Sequence, residues 1–345
     1  MFPVCIRTFL SMALTSAVIV LAGCASSSVI QKKTDIRARP SIDSLLAEKI
    51  SGLDDRQITE SDIRDILSRA PAPRIINLNG SIPLVTMDSF SKFLIGMGYP
   101  EEQVCNPLNG DFSYSSFMSS EKLAGYIAWY YEKDGMMPLL IGHSQGGMLV
   151  IRTLHELSGA FHERLRVWNP LTGEPEDRYS IIDPLTGRER EVRDLKVGYA
   201  SAVATGKTMR LILGQWDMLR RLREIPDSVE EFVGFRLTAD LIGGDMLSPD
   251  KAGRYHPLGS AIVRNVKLPA RYGHLTVPLV QDFAADNAAR EWLNRYLPGT
   301  EELLSQDEPF EDGRNMLFAA EQWFYIKKYW SKELQRLVRS SGGKN

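Results

Sequence analysis

The residues best equipped for chemistry in this chain are Gly142-His143-Ser144-Gln145-Gly146-Gly147. A serine hydroxyl is a weak nucleophile until its surroundings activate it. This serine follows an apolar run at 138–141 and opens an amphipathic run from about 145 to 157. That order predicts a strand, a sharp turn and a helix, with Ser144 on the turn. The glycines answer a crowding problem: a Cβ two residues to either side would collide with neighbouring backbone, and Gly147 adds room for the helix to pack close to the sheet. The helix start supplies free N–H groups and a positive dipole end beside the serine. Such a site suits attack on an acyl carbonyl, with the Gln145 N–H steadying the oxyanion.

The serine needs a base within hydrogen-bond reach. Four histidines follow it: His155, His162, His256 and His274. His155 and His162 fall on or just past the helix that Gln145 opens, pointing away from the turn. His256 lies in an Arg-Tyr-His-Pro loop. His274, in Tyr272-Gly273-His274, comes after an apolar run and before a long helical pattern. Two aspartates compete to orient the base. Asp240 ends the apolar run at 232–239, which puts it at the mouth of a sheet; Asp245 follows Gly243-Gly244 and begins Asp-Met-Leu-Ser-Pro. Asp217, in Gly-Gln-Trp-Asp, falls within a helical pattern and is a weaker third.

These residues must be positioned by the elements around them. Residues 41–70 hold two short helical patterns, one behind a Ser61 cap. Strands are predicted at 74–79, 103–105 and 138–141, and helices at 87–97, from Ser120 to Gly135, and at 145–157. Asn169-Pro-Leu-Thr-Gly173 then recurs as Asp183-Pro-Leu-Thr-Gly187, which is turn chemistry and predicts a small β-excursion over 166–193. Beyond it, strands are expected at 197–204, 232–239 and 261–268, and helices at 208–223 and 277–296. The alternation of strand and helix argues for an α/β fold with a mainly parallel sheet.

At this point the chain resembles the lipase and esterase branch of the α/β-hydrolase superfamily over about residues 70–300. The likeness rests on the strand, the Gly-x-Ser-x-Gly elbow at Gly142–Gly146 and the helix after it. It implies an α/β-hydrolase fold with helices on both faces, the β-excursion after the elbow helix and a helical extension at the end. It implies chain order serine, acid, histidine, which makes His274 the base, and carboxylic ester hydrolysis without a metal or other cofactor. The acid must lie at the mouth of the sheet, which favours Asp240 at its strand end, with Asp245 as the alternative. Besides Gln145, a second oxyanion donor is expected after the first strand. The superfamily's usual His-Gly there is replaced by Asn79-Gly80-Ser81-Ile82, so Ser81 or Ile82 would donate. The same machinery would serve an acyltransferase, thioesterase or amidase. An inert scaffold used for binding is the non-enzymatic alternative.

Lys and Arg number 41 against 43 Asp and Glu, a balance with no footprint for nucleic acid. The N-terminus reads as an address. An uncharged apolar run at 9–20, short for a membrane span, precedes Leu21-Ala22-Gly23-Cys24. That tetrapeptide resembles the lipobox of bacterial lipoproteins, which implies removal of 1–23, a lipid on Cys24 and a membrane-anchored envelope protein, at the outer membrane in a two-membrane cell. Residues 24–40 would be a tether, 41–300 the α/β domain and 301–345 its helical extension. Met209, Ile212, Leu213, Trp216, Leu219 and Leu222 form an apolar stripe that either packs on the sheet or lines a lid over 207–231. The basic, aromatic stripe from Trp323 to Leu337 either docks on the body or lies on a membrane surface. The substrate is expected to be a small-molecule or lipid ester; oligomeric state leaves no trace in the sequence.

Overall fold

Runs rich in Val, Ile, Leu and Phe become strands, and five of them pair side by side. In a computed structural model, which describes residues 42–82, 85–206, 215–238, 240, 242, 253–299 and 315–342, these are β1 (Ile75–Leu78), β2 (Leu139–His143), β7 (Val197–Val203), β9 (Val229–Arg236) and β11 (Ile262–Lys267). Their spatial order is β1-β2-β7-β9-β11, and every pairing is parallel. Register sets Ile76 beside Leu140, Ile141 beside Ser201 and Ala202 beside Gly234. Because successive side chains leave a strand on opposite faces, the sheet feeds two cores.

One face carries Ile75, Leu139, Ile141, Tyr199, Val203 and Phe235. It is covered by α1 (Ser44–Ser51), α3 (Asp88–Gly96), α7 (Asn287–Arg295) and the terminal helix α8 (Met316–Gly342). The other carries Ile76, Leu78, Leu140, Ala200, Ala202 and Phe232 beneath α4 (Ser120–Asp134) and α5 (Gln145–Leu157). The fold is therefore α/β, a parallel sheet flanked by helices. Among the described residues no helix is long and apolar enough to cross a membrane.

The excursion after α5 is two antiparallel hairpins, β3 (Trp168–Asn169) with β4 (Glu174–Pro175), and β5 (Ser180–Ile182) with β6 (Glu189–Glu191). Its repeated motif folds twice in the same way. The Asn169 side chain accepts from Leu171 N–H and the Asp183 side chain from Leu185 N–H; each turn closes on a left-handed glycine, Gly173 at φ 77° and Gly187 at φ 71°.

Several expectations need correction. The strand at 103–105 is instead a short 3₁₀ turn, Glu101–Gln103, and the edge of β1 is met by Tyr114, which bridges Leu78. The expected helix at 277–296 is interrupted: Pro278 sits in a turn, Gln281–Ala284 is 3₁₀, and a true helix begins only where the Asp286 side chain accepts from Ala289 N–H. The second helix, α2 (Glu60–Asp65), is capped by Thr59 in a reciprocal pair with Asp62, not by Ser61; the α4 cap is Ser119 rather than Ser120. Of the stripe over 208–223 only α6 (Met218–Arg221) is helical among the described residues, with Met218 and Leu222 buried and Trp216 and Leu219 exposed. Met209, Ile212 and Leu213 lie outside them.

The terminal helix docks on the body. Trp323, Ile326, Tyr329, Trp330 and Leu334 are buried in the first core. Several of its cations turn inward as well. Lys328 Nζ lies 2.6 Å from Glu231 and Lys332 Nζ 3.1 Å from Glu230, both carboxylates on β9, and Arg336 pairs with Glu230 and Glu333.

Candidate active site

The apolar strand β2 runs straight into the turn that sequence spacing marked. Ser144 holds φ 52° and ψ −114°, a conformation strained for a side-chain-bearing residue and costing of order 1–3 kcal/mol. The glycines around it are required by contact. A Cβ on Gly142 would enter the backbone of Gly146 and Gly147; one on Gly146 would strike the carbonyls of Leu78 and Asn79; one on Gly147 would overlap Thr205 Oγ1. The turn is thus pressed between the helix it opens, the end of β1 and the segment after β7.

Ser144 is 9% exposed, and its Oγ lies 3.0 Å from His274 Nε2. His274 Nδ1 lies 2.9 and 3.0 Å from the two carboxylate oxygens of Asp240. His274 and Asp240 are both buried. A carboxylate can only accept, so it selects the imidazole tautomer with the proton on Nδ1 and leaves Nε2 free to accept from the serine hydroxyl. The arrangement can draw the serine proton away while the buried carboxylate stabilises the cation that forms. Asp240 stands four residues beyond β9, which ends at Arg236 rather than at 239, so a short loop and not the strand itself brings it to the histidine. Asp245 lies outside the described residues, as does Cys24.

The loop after β1 reaches the same point. A Cβ on Gly80 would lie 3.4 Å from Ser144 Cβ and 3.0 Å from His143 Nδ1, so the Gly80 backbone rests against the turn. The loop is held in place by Asn79, whose Oδ1 accepts from Met87 N–H at 2.8 Å, and by Ser116, whose Oγ donates to the Gly80 carbonyl at 3.1 Å. Ser81 and Ile82 follow immediately. On the other side, Gln145 begins α5, where backbone N–H groups lack partners in the preceding turn. Ser144 therefore lies between the start of α5 and the loop that leads into Ser81 and Ile82.

The other candidates are occupied elsewhere. His155 Nε2–H donates to the carbonyls of Glu224 and Arg221 at 2.9 and 3.2 Å. His162 Nδ1 sits 2.5 Å from Glu156, and His256 is in the short strand β10 (His256–Pro257), which pairs with β8 (Glu224–Ile225). Asp217 forms an ion pair with Arg152 of α5 at 2.8 Å.

Sequence reasoning passed over His143. It occupies a position of the motif at which any residue is allowed, so no pattern marks it. It is buried, its Nε2–H donates to the backbone carbonyl of His274 at 2.8 Å, and the rings lie 5.2 Å apart. With Nε2 protonated, Nδ1 is a bare acceptor facing Gly80, without a hydrogen-bond partner among the described residues. Burial, and then the neighbouring His274, push the His143 pKa down to about 4, so the ring is neutral near pH 7.

A scan of protein-family models gives no match to this chain, and a search of curated proteins gives no significant one.

Proposed function

We propose that this chain is a serine hydrolase of the α/β-hydrolase type that cleaves carboxylic esters through an acyl-enzyme. The observation that carries the reading is the continuous relay from Asp240 through His274 to Ser144, at 2.9 and 3.0 Å, on a strained turn at the head of a helix. Ser144 Oγ attacks the carbonyl carbon as its proton passes to His274 Nε2. The Gln145 N–H and an N–H of Ser81 or Ile82 receive the oxyanion. Collapse expels the alkoxide, which takes the proton from His274. Water then attacks the acyl-serine, giving one proton to His274; the carboxylic acid leaves as that proton returns to Ser144, and it ionises by releasing its own proton to solvent.

A fluorophosphonate probe with a p-nitrophenyl ester panel tests this. The expected outcome is labelling at Ser144, with turnover falling by about 10³-fold or more in Ser144→Ala and His274→Ala and by about 10⁴-fold in Asp240→Asn. A wild type that neither labels nor hydrolyses any ester would overturn the reading.

The location follows from the N-terminal sequence: the chain is exported and anchored through a lipid on Cys24, as a lipobox-like Leu21-Ala22-Gly23-Cys24 implies. Radiolabelled palmitate fed to expressing cells should label the protein, and Cys24→Ser should abolish the label and move the enzyme out of the membrane fraction. Equal labelling of both proteins would sink this part.

A further inference from the structure

We infer that Asn315, at the start of the terminal helix, is a positioning residue that clasps the loop carrying His274. The inference rests on the hydrolase reading of Ser144, His274 and Asp240.

Residues 268–280 belong to neither a helix nor a strand, so no ladder of backbone bonds fixes this stretch. Yet the imidazole at its centre must hold 3.0 Å to Ser144 and 2.9 Å to Asp240 at once. Its own turns supply a few short-range bonds, such as Val277 N–H to the Gly273 carbonyl at 3.0 Å, and further bonds come from outside. Asn315 Nδ2 donates to the carbonyl of Thr276 at 2.8 Å and to that of Leu279 at 3.3 Å. The N–H of Leu317 donates to the hydroxyl of Tyr272 at 2.7 Å. The helix start therefore grips the loop two residues before His274 and two residues after it, while His143 donates to the His274 carbonyl itself.

The grip is built on immobile ground. Phe318, next along the helix, packs on Phe90 and Phe235 with ring centres 5.6 and 5.3 Å away. Asn315 is 5% exposed and adopts φ 72°, a left-handed conformation that asparagine tolerates better than most residues. Its carbonyl accepts from Ala319 N–H at 3.0 Å, so it also opens the helix. A side chain chosen only to start a helix would turn its oxygen to the free N–H groups of the first turn. Here both amide contacts go to the histidine loop, and Oδ1 is left buried without a partner among the described residues.

The test compares the full chain with Asn315→Gly, which keeps the backbone conformation and removes the amide, Asn315→Asp, which keeps the shape and removes the donor, and Tyr272→Phe. The readouts are kcat and KM on p-nitrophenyl butyrate, the fluorophosphonate labelling rate, and amide hydrogen exchange. In both Asn315 variants kcat and labelling rate should fall roughly 10- to 100-fold with KM within about threefold, because a displaced base costs rate rather than binding. Exchange over 272–280 should quicken while β2 and β7 stay protected. Tyr272→Phe should move the same readouts in the same direction. The clasp is overturned if kcat and exchange of the loop stay within about twofold of wild type, or if exchange rises equally throughout the sheet, which would mark a purely structural role. A wild type without esterase activity would fail the hydrolase reading alone, since loop exchange still decides whether Asn315 holds 272–280.

Discussion

Ser144 and His143 are adjacent in sequence and opposite in their demands on the site. In the proposed reaction the serine needs a partner that takes a proton; burial keeps the histidine beside it uncharged. His143 is sealed next to His274 and its pKa is pushed down to about 4, against an ordinary value of 6.5. The unfolded chain therefore binds a proton at this position between pH 6.5 and about 4, and the folded chain does not. The stability this group contributes is present in full above pH 6.5 and is lost as pH falls toward 4, by about 3 kcal/mol in total. Urea unfolding at pH 7 and pH 4.5 should show His143→Asn losing about 2 kcal/mol less than wild type between those two values. A difference under about 0.5 kcal/mol would refute burial as the cause. At this scale the sequence was legible where chemistry needs a spacing. Ser144 declared itself through its glycines, and His274 through a resemblance in chain order. Asp240 was separable from Asp245 only by argument about where a strand ends. His143 was invisible, because its role is a bond to a backbone carbonyl 131 residues away.

The elements repeat the lesson with a different limit. Short apolar runs bounded by turn residues gave every strand of the main sheet, and the repeated Asx turns gave the hairpins. Local rules failed where a proline or a better cap lay inside an apolar stripe, as at Pro278 and Asp286. The stripe on α8 predicted an amphipathic helix but left its partner open, since a cation on a helix reads alike whether it meets lipid phosphate or a buried glutamate. Contacts decide that question: Lys327 Nζ donates to the carbonyls of Ile58 and Asn294, both at 3.0 Å, and Lys328 and Lys332 meet the acidic pair on β9. The helix should accordingly contribute to global stability. Trp330 is fully buried, stacks edge-on with Tyr99 at 4.7 Å and donates to the Pro71 carbonyl. Trp330→Ala should destabilise the protein by about 3–5 kcal/mol in denaturant unfolding. A cost below about 1 kcal/mol would show that the helix is only loosely attached.

For the whole molecule, the parallel arrangement matters more than the inventory of parts. The turn that carries Ser144 leaves β2, the loop that carries Asp240 leaves β9, and the loop that carries His274 leaves β11, all at the carboxyl ends of strands running the same way. A parallel sheet gathers such ends along one rim, so residues 130 apart meet without any long excursion. The first core has a further property. It is closed from both ends of the domain: α1 and α8 lie on the same face, and Gln335 of α8 donates to the carbonyls of Ile50 and Leu53 at 3.1 and 2.9 Å. A ribosome delivers α1 well before α8. Until α8 emerges, that face of the sheet has only part of its cover and the histidine loop lacks its bonds to Asn315 and Leu317. The native packing of this core therefore waits on α8.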